Sequence, residues 1–359
     1  MAVDAAEQGR GIAQVVGAMR EAIVAGTYGA GRFLPPVREL SQTHGISAET
    51  VRRGLKVLES EGLLVSKARR GFRVAPRRTD DVGSRPIAYI TEEQVGQTDS
   101  QPTNLALLNG FQGAMSRLGS SALGLHSAGQ EPSALLAQLK AGQAWGVALD
   151  TMDRVLLDTV RRSGLPVVMV NSCFEEAAVD SVVQDNYRGG FLAARHLIDS
   201  GCRRIAWYGA LGRYYHSRER YAGACAALAG AGMYFDASTR VEVEGPGALA
   251  RALELLGRAE RPDGVLAFSA GAMAVLRRAC REMDVEPEVD LRAVGWMVEE
   301  HHSVGYLPLF GEERPSPAIV WKASSMVERA LALLGERRAG RTGEPVRVCV
   351  PTRLRFGGE

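Results

Sequence analysis

Apolar residues in the first 75 positions follow helical spacing and then strand spacing. One amphipathic helix is predicted over residues 10–25, where apolar side chains recur every three or four positions: Ile12, Val15, Val16, Met19 and Ile23. A second helix is predicted from Val37 to His44, after two prolines and before a glycine suited to a left-handed C-cap. A third begins after Ser47 as its N-cap and ends near Glu61. Residues 63–65 and 72–74 flank the basic turn 67–71, which predicts a β-hairpin.

Three helices followed by a basic hairpin predict a winged helix-turn-helix. Val51, Leu55 and Leu58 anchor the third helix, so its opposite face points outward, as in a helix that lies in the major groove of DNA. The outward residues are Ser47, Glu49, Thr50, Arg52, Arg53 and Lys56. The hairpin tip, Arg69, Arg70 and Gly71, is placed to reach the neighbouring backbone or the minor groove.

The charge distribution supports a nucleic-acid binder joined to a sensor. The net charge of the chain is only +2, but residues 1–80 carry 13 Lys/Arg against 8 Asp/Glu. The remaining residues carry 30 basic against 33 acidic side chains. A basic small domain beside a mildly acidic large one is typical of a DNA-binding regulator.

Residues 26–74 resemble the GntR-type DNA-binding domain. The similarity rests on L-P-x-x-R-E-L at residues 34–40, on GISAETVRRGLKVLESEG at residues 45–62, and on a glycine-containing wing. The resemblance implies that Arg38, Ser47, Thr50, Arg52 and Gly71 contact DNA. Relatives often carry a basic residue after Ser47, where this chain has Ala48 and Glu49. An acidic Glu49 can accept a hydrogen bond from cytosine or exclude other bases, so we expect an operator unlike those of relatives.

Several of these residues have a structural interpretation that stays open. Arg38 can pair with Glu39 or Glu49 instead of DNA, and Thr50 can serve only to start its helix. Arg53 and Lys56 can be solvated charges. At the wing, Arg69 and Arg70 fit phosphate contacts better than base contacts.

After a linker-like stretch, residues 77–86, apolar strands alternate with helical segments. This alternation predicts an α/β, doubly wound parallel-sheet architecture with ligands at the carboxyl ends of the strands. Helices are predicted at Asn104–Leu118 and Tyr187–Ser200. Strands are predicted at Ile87–Thr91, Ala122–His126, Gly146–Asp150, Pro166–Asn171, Ile205–Gly209, Val241–Val243, Gly264–Phe268, Leu291–Trp296 and Val346–Val350.

This second part resembles the LacI-type regulators and the periplasmic binding proteins. The resemblance rests on VDSVVQDNYRGGFLAARHLIDSGCRRIA at residues 179–206, followed by S-x-x-R-x-x-G at residues 217–223. The resemblance implies two lobes around a ligand cleft, and the GntR–LacI pairing is similar to arabinose-repressor-like regulators. We therefore expect a DNA-binding domain at residues 1–76, the linker at 77–86 and an effector domain at 87–359. Lobe one is expected at about 87–178 plus 300–325, and lobe two at about 179–299 plus 326–359.

The resemblance also implies a set of effector contacts, with two departures from the family pattern. The implied contacts are Asn171, Arg220, Ser269, Trp296, Met297 and Trp321. Ser269-Ala270 replaces the usual Asn-Asp, and Met297 replaces the aspartate that holds sugar hydroxyls in relatives. A methionine sulfur accepts hydrogen bonds only weakly, so the effector differs from those of relatives or has been lost.

Other residues in the effector domain have simpler explanations. Trp296 and Trp321 can equally be core aromatics, and Asp150 and Asp185 can be helix or strand-end caps. His301 and His302 stand apart from other ligand types, which argues against a metal site.

Composition and missing motifs narrow the class of protein. Five scattered cysteines without a C-x-x-C pair, no long apolar run and no secretory leader favour a reduced, cytoplasmic protein without membrane contact. No P-loop, G-x-S-x-G, H-E-x-x-H or Schiff-base lysine motif is evident, so neither an enzyme nor a cofactor is expected.

The sequence thus predicts a homodimeric transcriptional repressor that binds a palindromic operator. Its affinity for DNA would respond to a small-molecule effector, a sugar or related metabolite, in the cleft between the lobes. Two alternatives remain: a regulator controlled without a ligand or by a protein partner, and a metabolite-binding module that no longer uses DNA.

Overall fold

The computed structural model describes residues 15–19, 22, 28, 32–60, 64–67, 70–74, 85–92, 101–211, 214–243, 247–302 and 316–356. The chain divides into two compact units, Met1–Gly83 and Ser84–Glu359, and each is described by itself. Within the described residues, every helix is too short or too polar to cross a bilayer.

The first unit has the predicted helix-turn-helix and hairpin. Its elements are α1 (Val37–His44), α2 (Ala48–Ser60), β1 (Leu64–Lys67) and β2 (Gly71–Val74), after helical residues 15–19 and 22. The rest of the predicted first helix lies outside the described residues. Gly45, with φ +67°, ends α1 in the left-handed region, as predicted. The strands β1 and β2 pair antiparallel from Leu64 opposite Val74 to Lys67 opposite Gly71.

One core holds this unit together. Val51, Leu55 and Leu58 of α2 are buried, and they join a cluster with Val15, Met19, Leu34, Leu40 and Leu64. The segment at residues 32–34 pairs with the hairpin: Leu34 N–H donates to Phe72 O at 2.9 Å, and Val74 N–H to Arg32 O at 2.8 Å. The wing is thereby attached to the helices by backbone bonds as well as by packing.

The second unit alternates strands and helices along most of its length. In chain order its elements are β3 (Ile87–Thr91), α3 (Gln101–Arg117), β4 (Ala122–His126), α4 (Pro132–Ala141), β5 (Val147–Asp150), α5 (Arg154–Arg162), β6 (Val167–Val170), β7 (Asp180–Gln184), α6 (Asn186–Asp199), β8 (Ile205–Tyr208), α7 (Tyr215–Gly230), β9 (Arg240–Val241), α8 (Ala248–Leu256), β10 (Gly264–Ala267), α9 (Ala270–Glu282), β11 (Arg292–Val298), α10 (Glu299–His302), β12 (Ala318–Trp321), α11 (Ala323–Arg338), β13 (Arg347–Val350) and β14 (Arg353–Arg355).

Two six-stranded sheets give this unit its two lobes. The sheet of lobe one has the order β13-β7-β6-β5-β3-β4, and its strands pair in parallel. The sheet of lobe two has the order β14-β12-β11-β10-β8-β9, in which only β14 runs antiparallel to its neighbour. Strands buried on both faces explain the continuous apolar runs in the sequence. The predicted α/β two-lobed class is confirmed.

The expected lobe boundaries were wrong at three places. Residues 318–321 (β12) belong to lobe two, whereas residues 180–184 (β7) and 347–350 (β13) belong to lobe one. Strand partners, and not chain order, decide membership: β7 pairs with both β6 and β13. The chain therefore crosses between lobes near Asp185, near Lys322 and at residues 351–352. Two crossings are bonded together, since Asp185 N–H donates to Val350 O at 2.8 Å.

Two glycines allow α6 and α7 to approach unusually closely in lobe two. A Cβ atom on Gly190 of α6 would lie 1.9 Å from the carbonyl oxygen of Arg220. On α7, a Cβ atom at Gly223 would lie 1.9 Å from the carbonyl oxygen of Tyr187. These distances are far inside van der Waals contact, so only glycine fits at either position. The close packing places Arg220 of α7 directly against the first turn of α6.

Candidate functional site

The exposed face of α2 carries the predicted DNA contacts. Ser47 caps the helix: Thr50 N–H donates to Ser47 Oγ at 3.2 Å, and the two hydroxyl oxygens lie 2.8 Å apart. Arg52 and Arg53 are more than half exposed, and Lys56 is also exposed. The helix thus presents cations next to its N-terminal turn, the part of a recognition helix that reaches base edges.

The remaining predicted DNA contacts differ in exposure. Thr50 is only 9% exposed and bonds to Ser47, which favours the helix-start interpretation that the sequence left open. Arg38 is exposed on α1, and Arg70 is exposed at the hairpin. Gly71 has φ +86°, a conformation that glycine adopts without strain. Arg69 lies outside the described residues.

Glu49 contacts both arginines of this face. Arg52 Nη1 donates to Glu49 Oε2 at 3.0 Å, and Arg53 Nε lies 3.5 Å from Glu49 Oε1. The carboxylate is 60% exposed, so the pairs are worth only about 0.2–0.5 kcal/mol each to the folded state. Arg38, the other proposed partner of Glu49, belongs to α1 and is exposed there.

In the second unit, a cavity of about 860 Å³ lies at the carboxyl ends of the strands of lobe one. We call it the strand-end cavity. Its wall follows β3, β4, β5 and β6 and includes one residue of α7 in lobe two. The lining residues are Glu92, Ser127, Ala128, Met152, Asp153, Arg154, Cys173, Phe174, Glu175, Glu176 and Arg218. This is the position that the alternation of strands and helices predicts for a ligand.

The wall of the strand-end cavity combines carboxylates, guanidinium groups and an aromatic ring. Glu92 Oε1 accepts from Thr151 Oγ1 at 3.0 Å and from the N–H of Met152, which holds it at the end of β3. The guanidinium carbon of Arg154 lies 5.6 Å from the ring centre of Phe174. Cys173 is 3% exposed, and burial raises the pKa of its thiol to about 11, which favours the protonated thiol at neutral pH.

A second group of polar side chains, the interlobe polar cluster, joins the lobes beside the crossing at Asp185. Its members are Asp150, Asn171, Gln184, Arg220 and Trp296. Asn171 Nδ2 donates to Asp150 Oδ2 at 3.0 Å, and Gln184 Nε2 donates to Asn171 Oδ1 at 2.8 Å. Gln184 Oε1 accepts from Arg220 Nη2 at 2.6 Å and from Trp296 Nε1 at 2.8 Å.

Arg220 is a buried cation whose hydrogen bonds within the described part of the chain all go to neutral oxygens. Besides Gln184, its Nε donates to Asn186 Oδ1 at 2.9 Å and its Nη1 to Phe268 O at 2.5 Å. The ring of Trp296 lies 3.8 Å from the guanidinium carbon. Burial lowers the pKa of Arg220, because a desolvated charge is disfavoured. The side chain is therefore well held, with one face covered by an aromatic ring.

Two buried polar atoms near Arg220 have no hydrogen-bond partner within the described part of the chain. They are Asn186 Nδ2 and Ser217 Oγ, from side chains that are 2% and 0% exposed. Leaving such atoms unpaired costs about 1–3 kcal/mol each. A water molecule or a ligand hydroxyl at this place would relieve that cost.

The carboxyl group of Asp150 has a strongly perturbed acidity. Burial raises its pKa to about 7, and the nearby charge of Glu92 adds to the rise, whereas the bond from Asn171 opposes it. Asp150 ends β5 but does not cap a helix. Asp185, by contrast, caps α6, since its Oδ1 accepts from Arg188 N–H at 3.2 Å.

The six predicted effector contacts fall into separate places. Asn171, Arg220 and Trp296 meet in the interlobe polar cluster, and none of the six lines the strand-end cavity. Ser269 caps α9 by accepting from Ala272 N–H at 3.1 Å. Met297 packs in the apolar core of lobe two, and Trp321 is 1% exposed, which favours the core interpretation of that tryptophan.

Most residues of the cavity wall were not predicted from the sequence. Glu92, Asp153 and Phe174 each lie within four residues of the end of a lobe-one strand. The strand-end rule applied to every strand would have found them, because parallel strands bring their carboxyl ends to one edge.

Comparison with known proteins agrees with this architecture. Residues 95–283 match the family described as periplasmic binding proteins and sugar binding domain of LacI family, which covers more than half of the chain. The chain belongs to that family. Residues 12–74 match the bacterial regulatory proteins of the gntR family, so the LacI-type effector domain follows a GntR-type DNA-binding domain.

Individual LacI-type relatives are transcriptional regulators. The HTH-type transcriptional regulator CelR of Thermobifida fusca is 29% identical over 340 residues, covering 91% of this chain and 93% of CelR. The HTH-type transcriptional repressor PurR of Photobacterium profundum is 25% identical over 153 residues, 42% of this chain and 46% of PurR. A solved complex of the regulator CelR with cellobiose superposes with a TM-score of 0.66 at 24% identity, covering 90% of this chain and 99% of that one.

Proposed function

We propose that this LacI-type regulator represses transcription by binding a palindromic operator as a homodimer. Its α2 helix would enter the major groove, with Arg52 and Arg53 on the groove side and Arg70 beside the backbone. The observation that supports this most directly is the cationic, exposed face of α2 on a helix whose other face is buried in the unit's core. A helix of this kind fits the groove, and the wing adds backbone contacts.

We further propose that the effector is a carbohydrate that binds in the strand-end cavity. Carboxylates such as Glu92 accept hydrogen bonds from sugar hydroxyls, arginines donate them, and the ring of Phe174 offers an apolar face. A cavity of about 860 Å³ is large enough for a disaccharide-sized ligand, and CelR in its complex binds such a sugar. Because Arg218 of lobe two shares the wall, a bound sugar would favour one arrangement of the lobes and so alter DNA affinity.

The hydrogen bonds of the interlobe polar cluster would change with the arrangement of the lobes. Gln184 bonds to side chains of both lobes, so movement of one lobe changes its partners. Arg220, Asn171 and Trp296 would then act in the effector response through these bonds. Asn186 Nδ2 and Ser217 Oγ, which have no partner among the described residues, are polar atoms that a ligand hydroxyl would satisfy.

The DNA-binding part is tested by enrichment of sheared genomic DNA on the purified full-length protein, at a stated salt concentration. Enrichment of a few sites that share a palindrome is expected for the wild type and not for Arg52→Ala. Arg195→Ala is the matched control, since Arg195 is also 55% exposed on a helix and paired with an acid. Equal enrichment by wild type and Arg52→Ala would contradict the role of α2.

The effector part is tested by thermal shift with a panel of mono- and oligosaccharides, followed by DNA binding with each stabilising sugar. Phe174→Leu should raise the sugar concentration at half-maximal stabilisation at least tenfold, and Phe191→Leu, at an exposed position of α6, should not. A sugar that binds without changing DNA affinity would contradict its role as effector.

A second candidate function is a regulator controlled without a small molecule. Two observations favour it: Arg220 and Trp296 both donate hydrogen bonds to Gln184 without a ligand, and Met297 packs in the core. Its expected result is stabilisation by no sugar in the panel and an operator occupancy that depends on protein concentration alone.

A further inference from the structure

An acidic side chain, Glu49, lies at the centre of the cationic α2 face, where its exposed ion pairs add little to stability. Glu49 lies in the first turn of α2, and its two carboxylate oxygens face two different arginines, Arg52 at 3.0 Å and Arg53 at 3.5 Å. A shallow groove of about 300 Å³ runs over the same face and is lined by Glu49, Arg52, Arg53, Lys56 and Val57. An anion therefore occupies the surface that the proposed function brings against polyanionic DNA.

The contacts of Glu49 compete with contacts to phosphate. Arg52 and Arg53 have planar guanidinium groups whose N–H donors suit a carboxylate or a phosphate equally well. On arbitrary DNA, an arginine that turns to a phosphate leaves Glu49, and the free carboxylate then faces the backbone charge. Repulsion between like charges opposes that arrangement.

The same contacts favour one kind of base sequence. A guanidinium group held by Glu49 on one edge still has N–H donors for a guanine, and the carboxylate can accept from the amino group of a neighbouring cytosine or adenine. Only a sequence that offers both partners satisfies Glu49 and the arginines together. Discrimination then comes from a penalty on the wrong sequence as much as from attraction to the right one.

We propose that Glu49 determines specificity by positioning Arg52 and Arg53 for base contacts and by weakening binding to DNA of arbitrary sequence. The inference rests on the proposed function, since it requires α2 to lie in the groove. Glu49 acts through the arginines, so its removal strengthens random binding while it weakens the preference for the operator.

The chain offers a charge-matched control on the same helix. Glu59 also lies on α2, but its carboxylate accepts from Ser66 N–H at 2.9 Å and faces the hairpin. Glu59→Gln removes the same negative charge and keeps an oxygen that can accept from Ser66. Comparison of Glu49→Gln with Glu59→Gln therefore separates the position of the carboxylate from the net charge of the unit.

The experiment starts with selection of a preferred duplex from a random DNA pool by the full-length wild type. Dissociation constants are then measured by fluorescence anisotropy for the selected and a scrambled duplex, at three salt concentrations. For Glu49→Gln, the ratio of the two constants should fall about tenfold relative to wild type, with a steeper salt dependence on scrambled DNA by about one charge. Glu59→Gln should keep the ratio within about twofold of the wild-type value.

Coupling to the arginines gives a second measurement. Arg52→Ala is introduced into wild type and into Glu49→Gln, and the selected duplex is measured with all four proteins. The loss caused by Arg52→Ala should be smaller in the Glu49→Gln background, because the arginine is no longer positioned there. The inference would be overturned by equal ratios of the two dissociation constants for wild type and Glu49→Gln, or by equal effects of Glu49→Gln and Glu59→Gln on that ratio. It would also be overturned if the losses caused by Glu49→Gln and Arg52→Ala were additive. A wild type that selects no sequence would overturn the proposed function and the inference with it.

Discussion

Replacement of Asp150 by asparagine should stabilise the effector domain at neutral pH and less so at acidic pH. The pKa of this carboxyl group is raised from 3.8 to about 7 in the folded protein, first by burial and then by the charge of Glu92. An acid whose pKa is raised on folding favours the protonated native state. Its ionisation therefore reduces stability progressively as the pH rises from about 4 to about 7, and the penalty is constant above that.

The magnitude follows from the size of the shift. One pKa unit corresponds to about 1.4 kcal/mol, so the penalty is at most about 4 kcal/mol at pH 8 and about 1.6 kcal/mol at pH 5. Because Asp150 is partly exposed and its surroundings can relax, about half of these values is expected. Asparagine keeps an oxygen that accepts from Asn171, so the substitution removes the charge and preserves the bond.

Thermal unfolding of wild type and Asp150→Asn at pH 5 and pH 8 measures the effect. The variant should unfold about 2–6 °C higher at pH 8, and the difference should shrink at pH 5. Asp153→Asn is the control: its carboxylate accepts from Val155 N–H at 2.8 Å as the cap of α5, and asparagine caps a helix nearly as well. No gain at pH 8, or an equal gain at both pH values, would refute the reasoning.

Two further substitutions test the packing of the lobes. Gly190→Ala should destabilise lobe two by more than about 3 kcal/mol in urea denaturation, because its Cβ would lie 1.9 Å from the carbonyl oxygen of Arg220. Gly230→Ala on α7 is the control: its Cβ would meet nothing within 4 Å, so this change should be neutral or stabilising by up to about 1 kcal/mol. Equal midpoints for the two variants would contradict the close helix contact. Asp180, 1% exposed on its side chain and paired with Arg337 and Arg341, has its pKa lowered to about 2 by these bonds. The ionised Asp180 should contribute about 2 kcal/mol to the free energy of unfolding above pH 4, and this contribution should be lost as the pH falls toward 2. Asp180→Asn should therefore make stability less dependent on pH in the acidic range. An unchanged pH dependence in that range would exclude the pairing as its cause.

Local patterns determined much of this protein. The helix Val37–His44 and the strands Ile87–Thr91 and Ala122–His126 have the predicted bounds, because apolar spacing, the prolines before the helix and its C-cap glycine act within a few residues. The outward face of α2 followed from the same periodicity, since burial of Val51, Leu55 and Leu58 leaves the opposite side to solvent. The GntR-type and LacI-type motifs could be recognised in the sequence because each motif also lies within a short stretch of the chain.

Pairing between distant segments decided the rest. The strands at residues 180–184, 318–321 and 353–355 were not predicted, and β12 was expected in the other lobe, because short strands gain their partners from far along the chain. The bonds from Gln184 to Arg220 and Trp296 likewise join residues up to 112 positions apart, and the cavity wall brings Glu92 together with Arg218. Spacing in the sequence specifies which way a side chain points within its own element; only the packed sheets specify which other side chain it meets.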